Sequence, residues 1–327
     1  MKKVVCLYGT ASEMTEKMNK RAEQYAASRN LKYEWVPQQP WSVESAVEAL
    51  QEADAGIIDV EPYDEKIFSR IKDRCHLLVR YGVGFDAVNL TEASENHIAV
   101  ARTTGANAES VAEMAFAMIM AAKRNFLTND RNVREGRWCR TIGQEMLGKK
   151  LGILGFGAIG RKLASLFSGF QAEVAVYDPF ISKEQAEAAG VKAEDLDTIF
   201  STCDAISIHV PYTKDTHHLI NAERLALMKK TAVVVCTSRG NIVDEEALAE
   251  ALKNHQILGA GLDVFAEEPL PAESPLIGLD NVILTPHVSA QTEDALWNMY
   301  KKAIDISADF LEGKEIGGDL LNPEYRG

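Results

Sequence analysis

Three side chains suited to handling protons and charge each stand at or just beyond the end of an apolar, β-rich run. Arg239 follows Val233-Val234-Val235-Cys236-Thr237-Ser238, Glu268 follows Gly261-Leu262-Asp263-Val264-Phe265, and His287 follows Ile283-Leu284-Thr285-Pro286. Open α/β sheets place their ligands outside the carboxyl ends of strands, so these three positions point to one site. Imidazole is the side chain whose unperturbed pKa lies nearest neutrality, which suits it to proton transfer. A guanidinium offers a planar fork to a carboxylate and polarises a carbonyl. A carboxylate bonded to the second ring nitrogen would fix the imidazole and favour its proton-loaded form. Each residue taken singly has a plainer reading: Arg239 as a cap or surface pair, Glu268 as part of an acidic turn, His287 as a satisfied histidine after proline.

Upstream, Leu151-Gly152-Ile153-Leu154 leads into Gly155-Phe156-Gly157-Ala158-Ile159-Gly160, a G-x-G-x-x-G placed after a strand and opening a helix. The first glycine permits the tight turn, the second lets the backbone approach a pyrophosphate, and the third lets the helix close on the strand. Free N–H groups at the helix start then face the anion. Asp178, at the end of the next β-rich run, can accept hydrogen bonds from both ribose hydroxyls. No arginine adjoins it to receive a 2′-phosphate, so NAD is expected over NADP. The plainer alternative is a turn that binds nothing, with Asp178 capping the chain before Pro179. His209, ending a strand before Pro211, is expected on the adenosine side of the cofactor cleft.

The elements that must position these residues follow from alternation. Short β-rich runs alternate with segments of helical period, which predicts parallel α/β sheets, and 327 residues allow about two domains. Strands are expected at 4–8, 31–36, 55–60, 77–81 and 98–101, and in a second series at 149–154, 173–177, 205–209, 232–236, 258–262 and 282–284. Met14, Met18, Ala22 and Tyr25 mark the buried stripe of the first helix. A helix from 107 to about 127, followed by a charged stretch to Arg140, links the two series, and a last helix spans 292–311.

These pieces together resemble the D-isomer-specific 2-hydroxyacid dehydrogenase family, in its branch of phosphoglycerate dehydrogenases and C-terminal-binding proteins. The matching segments are the glycine fingerprint, Ser238-Arg239-Gly240, Leu262-Asp263-Val264-Phe265 with Glu267-Glu268-Pro269, and Thr285-Pro286-His287. The segments from Arg80 to Asp86 and from Asn107 to Glu113 also match, so the resemblance spans essentially the whole chain. It implies two doubly wound parallel-sheet domains, with a Rossmann NAD domain at 102–288 inserted in a flavodoxin-like substrate domain at 1–101 and 289–327. It implies an NAD-dependent oxidoreductase moving a hydride between nicotinamide and C2 of a D-2-hydroxy acid or 2-oxo acid. His287 would be the general acid and base, Glu268 would orient it, and Arg239 would bind substrate together with the backbone at Val83 and Gly84. Cofactor contacts are implied at Gly155, Gly157, Ala158, Ile159, Gly160, Asp178, His209, Val210, Thr237, Ser238, Arg239, Asp263, His287 and Ala290, with Asn107 on the site wall. Two domains would close on each other to exclude water.

The chain departs from the family at Asp86-Ala87-Val88-Asn89 and at Arg102-Thr103-Thr104-Gly105, which bears on substrate identity rather than reaction class. Glu268 stands where formate dehydrogenases of the family carry Gln, which argues against formate. The acid stays open among glyoxylate, hydroxypyruvate, phosphoglycerate, pyruvate and branched 2-oxo acids, a phosphorylated one needing extra cations such as Arg80 or Arg102. Little chain follows the closing helix, so no appended regulatory domain is expected. A rival reading is an NAD(H)-sensing scaffold or transcriptional co-repressor of the same fold.

Composition narrows the partners. An apolar fraction of 46% with 25% charged residues fits a soluble globular chain rather than a disordered one, and the longest apolar run, 114–122, is too short to span a bilayer. A net charge of −13 repels phosphate backbones and anionic membranes, so neither nucleic acid nor membrane is expected as a partner. Five widely spaced cysteines without a C-x-x-C pair read as reduced thiols in a cytoplasm, and Gly9 ends the apolar start too early for a signal peptide. No metal is expected: His217 and His218, read as neighbours on a strand, would face opposite sides. The segment 131–140, with four arginines and Trp138, is read as the arm of a homodimer, a solvated face or a nucleic-acid contact, the resemblance favouring the arm.

Overall fold

A computed structural model describes residues 1–38 and 40–326. The chain divides into two compact units, Met1–Asn107 with Thr292–Gly327, and Ala108–Gln291. Both boundaries fall a few residues later than the sequence suggests. Thr103 stays bonded to Gly82 through its N–H and its hydroxyl, and Lys302 donates to the Thr104 carbonyl, which keeps that segment in the first unit. At the other boundary Ser110 donates to the Ser289 carbonyl, and Thr292 caps the last helix by accepting the Ala295 N–H.

The first unit begins β1 (Lys2–Cys6), α1 (Glu13–Ser28), β2 (Leu31–Trp35), α2 (Val43–Leu50) and β3 (Ala55–Ile58). It continues α3 (Glu65–Ile71), β4 (Leu77–Arg80), α4 (Leu90–Glu95) and β5 (Ala99–Arg102). These strands pair in parallel in the order β2-β1-β3-β4-β5. One sheet face packs Val5, Ile58, Leu78 and Val100 against Leu50, Ile67 and Phe68.

The second unit runs α5 (Ala108–Lys123), α6 (Phe126–Arg134), β6 (Lys150–Leu154), α7 (Ala158–Phe167), β7 (Glu173–Tyr177), α8 (Lys183–Ala188) and β8 (Lys192–Ala193). Then come α9 (Leu196–Thr202), β9 (Ala205–Ile208), α10 (Ala222–Leu227), β10 (Val233–Cys236), α11 (Glu245–Lys253), β11 (Gly259–Leu262) and β12 (Val282–Leu284). Its seven parallel strands are ordered β12-β11-β10-β9-β6-β7-β8. Successive residues of a strand face opposite sides, and β10 shows that both sides are covered. Val234 and Cys236 join one core with Leu225 and Leu248, whereas Val233 and Val235 join another with Met118, Ile119, Leu163 and Phe167.

The chain returns to the first unit as α12 (Glu293–Leu311), which packs on α1 and β4. There Tyr300 meets Tyr8 and Tyr81 edge-on while those two rings stack at 3.6 Å, and the Tyr81 hydroxyl donates to the Leu296 carbonyl at 2.8 Å. Both units are thus parallel α/β sheets covered by helices.

Several expectations need correction. The long linking helix is two helices, broken where Asn125 takes a left-handed φ of 48°, and much of the charged stretch is helical as α6. The edge strand β8 has two residues and was not anticipated. Five of the eleven expected strands end early, so Tyr8, Val60, Tyr81 and His209 lie in the loops beyond the carboxyl ends. His217 and His218 sit in a turn rather than a strand, with rings stacked at 4.0 Å instead of facing apart. Among the described residues, no helix is long and apolar enough to cross a membrane, and no group of three or more His, Cys, Asp and Glu could hold a metal ion.

Candidate active site

Arg239, Glu268 and His287 all belong to the second unit, on the loops beyond β10, β11 and β12. Glu268 Oε1 accepts the Phe265 N–H at 3.0 Å, which fixes the carboxylate and presents Oε2 to His287 Nδ1 at 2.8 Å. An ionised carboxylate only accepts, so Nδ1 carries the hydrogen in this pair and Nε2 is left to exchange a proton with a ligand. The two side chains are 39% and 50% exposed, open enough for a ligand to reach them.

Asp263 shapes the loop that carries His287. Its carboxylate is fully buried, with one oxygen accepting from the Thr285 hydroxyl and the Val288 N–H, the other from the N–H and hydroxyl of Ser289. The His287 N–H donates to the Asp263 carbonyl at 2.8 Å, which holds the residue in a left-handed conformation with φ 53°. Both Asp263 oxygens are engaged within the loop, so the residue acts on His287 as a positioning residue.

The turn carrying Arg239 presses on the loop carrying Glu268. A Cβ on Gly240 would lie 1.8 Å from the Phe265 carbonyl carbon, a separation no side chain allows. Arg239 itself is half-buried and donates through Nη1 to the Ser238 carbonyl at 2.7 Å. Glu245, in the first turn of α11, braces the same loop by accepting the Ala266 N–H at 2.7 Å. Sequence reasoning missed Gly240, Glu245, Thr285 and Ser110. Gly240 and Thr285 had a signal in their places in Ser-Arg-Gly and Thr-Pro-His, and Ser110 in the segment from Asn107 to Glu113; Glu245 had none.

The glycine turn lies at the carboxyl end of β6. Gly155 has φ 92°, and a Cβ there would come within 2.8 Å of the His209 carbonyl carbon; one on Gly160 would come within 2.3 Å of the Gly155 oxygen. Around a Cβ on Gly157, by contrast, there is open space at the start of α7, beside Ala158 and Ile159. Asp178 accepts the Phe156 N–H at 2.8 Å and the Phe180 N–H at 2.9 Å, so it caps its own turn and also reaches the glycine turn. His209 Nε2 meets Ser207 Oγ at 2.9 Å while Nδ1 has no partner, and burial lowers its pKa to about 4, leaving the ring neutral near pH 7. Thr237 Oγ1 is also buried without a partner. A left-handed glycine turn on a helix start, an acid at the next strand end and two buried polar atoms with unused bonding capacity fit a dinucleotide. Val210 is buried, Ser238 lies near Cys236 Sγ at 3.6 Å, and Ala290 follows Ser289 in the turn after the His287 loop.

A family model described as the NAD-binding domain of D-isomer specific 2-hydroxyacid dehydrogenases matches residues 116–289, within the second unit. A glyoxylate reductase of Korarchaeum cryptofilum is 36% identical over 297 residues, 89% of each chain. The chain belongs to the D-isomer specific 2-hydroxyacid dehydrogenase family. This dehydrogenase is 42% identical over 225 residues to a D-3-phosphoglycerate dehydrogenase of Archaeoglobus fulgidus, spanning 68% of its own length and 43% of that longer relative. The structure of a D-lactate dehydrogenase with NAD+ from Lactobacillus jensenii resembles it with a TM-score of 0.82 at 25% identity, over 98% of this chain and 99% of that one. It is an NAD-dependent oxidoreductase, and the dehydrogenase reading is supported over the scaffold reading.

The other residues expected to bind substrate lie in the first unit of this dehydrogenase, in the turn after β4. No hydrogen bond among the described residues engages the N–H of Val83 or Gly84. Arg102 Nη1 approaches the Val83 carbonyl at 3.5 Å, and its guanidinium stands 5.5 Å from the centre of the Phe85 ring. Asn107 Oδ1 is buried without a partner.

Proposed function

We propose that this dehydrogenase works chiefly as a reductase of a small 2-oxo acid, with His287 as general acid, Glu268 orienting it and Arg239 binding the acid. The 2.8 Å contact between Glu268 Oε2 and His287 Nδ1 carries the reading, because it fixes which ring nitrogen can serve the substrate. Bound NADH supplies the hydride that adds to C2. His287 Nε2 gives its proton to the carbonyl oxygen as the hydroxyl forms and takes one back in the reverse direction. Glu268 holds Nδ1–H throughout, and Asp263 keeps the loop in place. Arg239 offers its fork to the carboxylate and carbonyl. The N–H groups of Val83 and Gly84 are assigned to the carboxylate as well, their lack of partners supporting the assignment. Gly155, Gly157, Ala158, Ile159 and Gly160 are assigned to the pyrophosphate, Asp178 to the ribose, and His209, Val210, Thr237, Ser238 and Ala290 to the remaining cofactor contacts. NADH oxidation followed against a panel of 2-oxo acids, beginning with glyoxylate, tests the reading. Turnover of none would overturn it.

The same reading includes a homodimer and a cytoplasmic location. Exposed Val133, Trp138 and Ile142, at 58%, 80% and 89%, support a contact between copies along this segment.

A further inference from the structure

The strand order of the first unit reverses between β1 and β3. In an open parallel sheet, the crevice outside the carboxyl ends at such a reversal is where ligands bind. The chain leaving β3 there is Asp59-Val60-Glu61, and beside it β4 ends at Arg80 and enters the Val83–Gly84 turn. The Arg80 guanidinium lies under this turn, 3.3 Å from the place a Cβ on Gly82 would take, and Nη1 is 3.7 Å from Asp59 Oδ1.

The charges at this edge do not balance. Among the described residues Arg80 is a cation within reach of both carboxylates, and it is paired with Asp59. Burial raises the Asp59 carboxyl against the opposing pull of Arg80 and of the Val60 and Gly9 N–H groups; burial and then the charge of Asp59 raise the Glu61 carboxyl. A ligand bringing a hydrogen-bond donor would relieve this edge, and one bringing an anion would strain it further. An independent feature points the same way. Tyr63 is 1% exposed and lies within electrostatic reach of Glu61, Asp59 and Arg80; the indole N–H of Trp41 stands beside its hydroxyl, but no well-formed hydrogen bond engages either group among the described residues. Buried hydroxyls are normally bonded, so this one has capacity to offer a ligand. Between the two carboxylates Val60 stands 62% exposed, an apolar contact at the same edge.

We infer that Asp59, Glu61 and Tyr63 form the subsite for the tail of the 2-oxo acid, the substituent beyond C2, and that it takes tails which donate hydrogen bonds, an alcohol or an ammonium, and refuses phosphate and carboxylate. This rests on the reading that Val83 and Gly84 hold the acid's carboxylate. Arg80, a candidate for a phosphorylated tail in the sequence, is held by Asp59 instead.

The test compares kcat/KM for glyoxylate, 3-hydroxypyruvate and the 3-phosphate ester of hydroxypyruvate, in the wild type, Glu61→Gln and Glu61→Lys, with thermal unfolding and NADH titration checking each variant's fold. The wild type should favour 3-hydroxypyruvate over its phosphate ester by at least tenfold. Glu61→Lys should shrink that ratio at least tenfold, with Glu61→Gln between. If glyoxylate is reduced but the wild type accepts the ester equally, or the ratio is the same in Glu61→Lys, the subsite is wrong while the reading of the reaction stands. If the wild type reduces no 2-oxo acid, that reading falls and the subsite with it.

Discussion

His287 is held at one nitrogen by Glu268 and at its backbone by the Asp263 loop, so the role proposed for it can be tested apart from folding. His287→Ala should lower kcat by about 10²–10⁴-fold, the usual worth of general acid–base catalysis, with NADH affinity by fluorescence titration retained. A variant as active as wild type would remove His287 from the mechanism. Asp263→Ala, by contrast, strips four donors of their buried acceptor. It should cost at least about 2 kcal/mol in urea unfolding as well as activity; unchanged stability would show that the loop holds without it. His209 gives a pH signature. Free histidine titrates near 6.5 and burial lowers this one to about 4, so between those values the unfolded chain takes up a proton that the folded chain refuses. Stability is full above pH 6.5 and falls toward pH 4, with about 1–2 kcal/mol lost at pH 5. His209→Asn should lose less between pH 7.5 and 5 than the wild type, and parallel losses would contradict the assignment. Arg239, Glu268 and His287 were legible because each closes a strand in a recognisable string. Glu245 was not, because an acid opening a helix looks the same whether or not it bonds a backbone N–H twenty-one residues on.

The loops beyond the carboxyl ends decide how the elements meet, and sequence pattern places those ends only roughly. Hydrophobic runs continue past the last ladder bond, so Tyr8 and Tyr81 read as strand although they stack on each other outside it. The break between α5 and α6 was hidden because Asn125 turns left-handed without a glycine to announce it. The fingerprint turn was legible, since its demands fall on consecutive residues. Gly240 shows the opposite case: its constraint comes from Phe265, on another loop. Gly240→Ala must separate the Arg239 turn from the Glu268 loop, so it should lower stability by about 3 kcal/mol or more and abolish turnover. Activity near wild type would mean that the two loops move apart without loss.

At the scale of the whole molecule, the segment from α6 through Ile142 leaves an apolar series exposed in a chain of net charge −13. Trp138→Asp should convert a dimer to a monomer in sedimentation analysis while preserving far-UV circular dichroism, and a wild type that sediments as a monomer would dispose of the interface. That two domains exist was legible from strand alternation. Their limits were less so, since hydrogen bonds around Thr103 and Thr104 set one of them rather than any change of composition. The return of α12 to the first unit has a consequence for how the molecule is made. A chain emerging from the ribosome presents β1 to β5 first, but the Tyr8–Tyr81 stack and the Tyr81 hydroxyl wait for Tyr300 and Leu296, which are synthesised only after the entire second unit. Domains fold as units during synthesis, so the cofactor domain can be complete while the first unit still exposes an aromatic face, and α12, made after the whole second unit, is the helix that closes it.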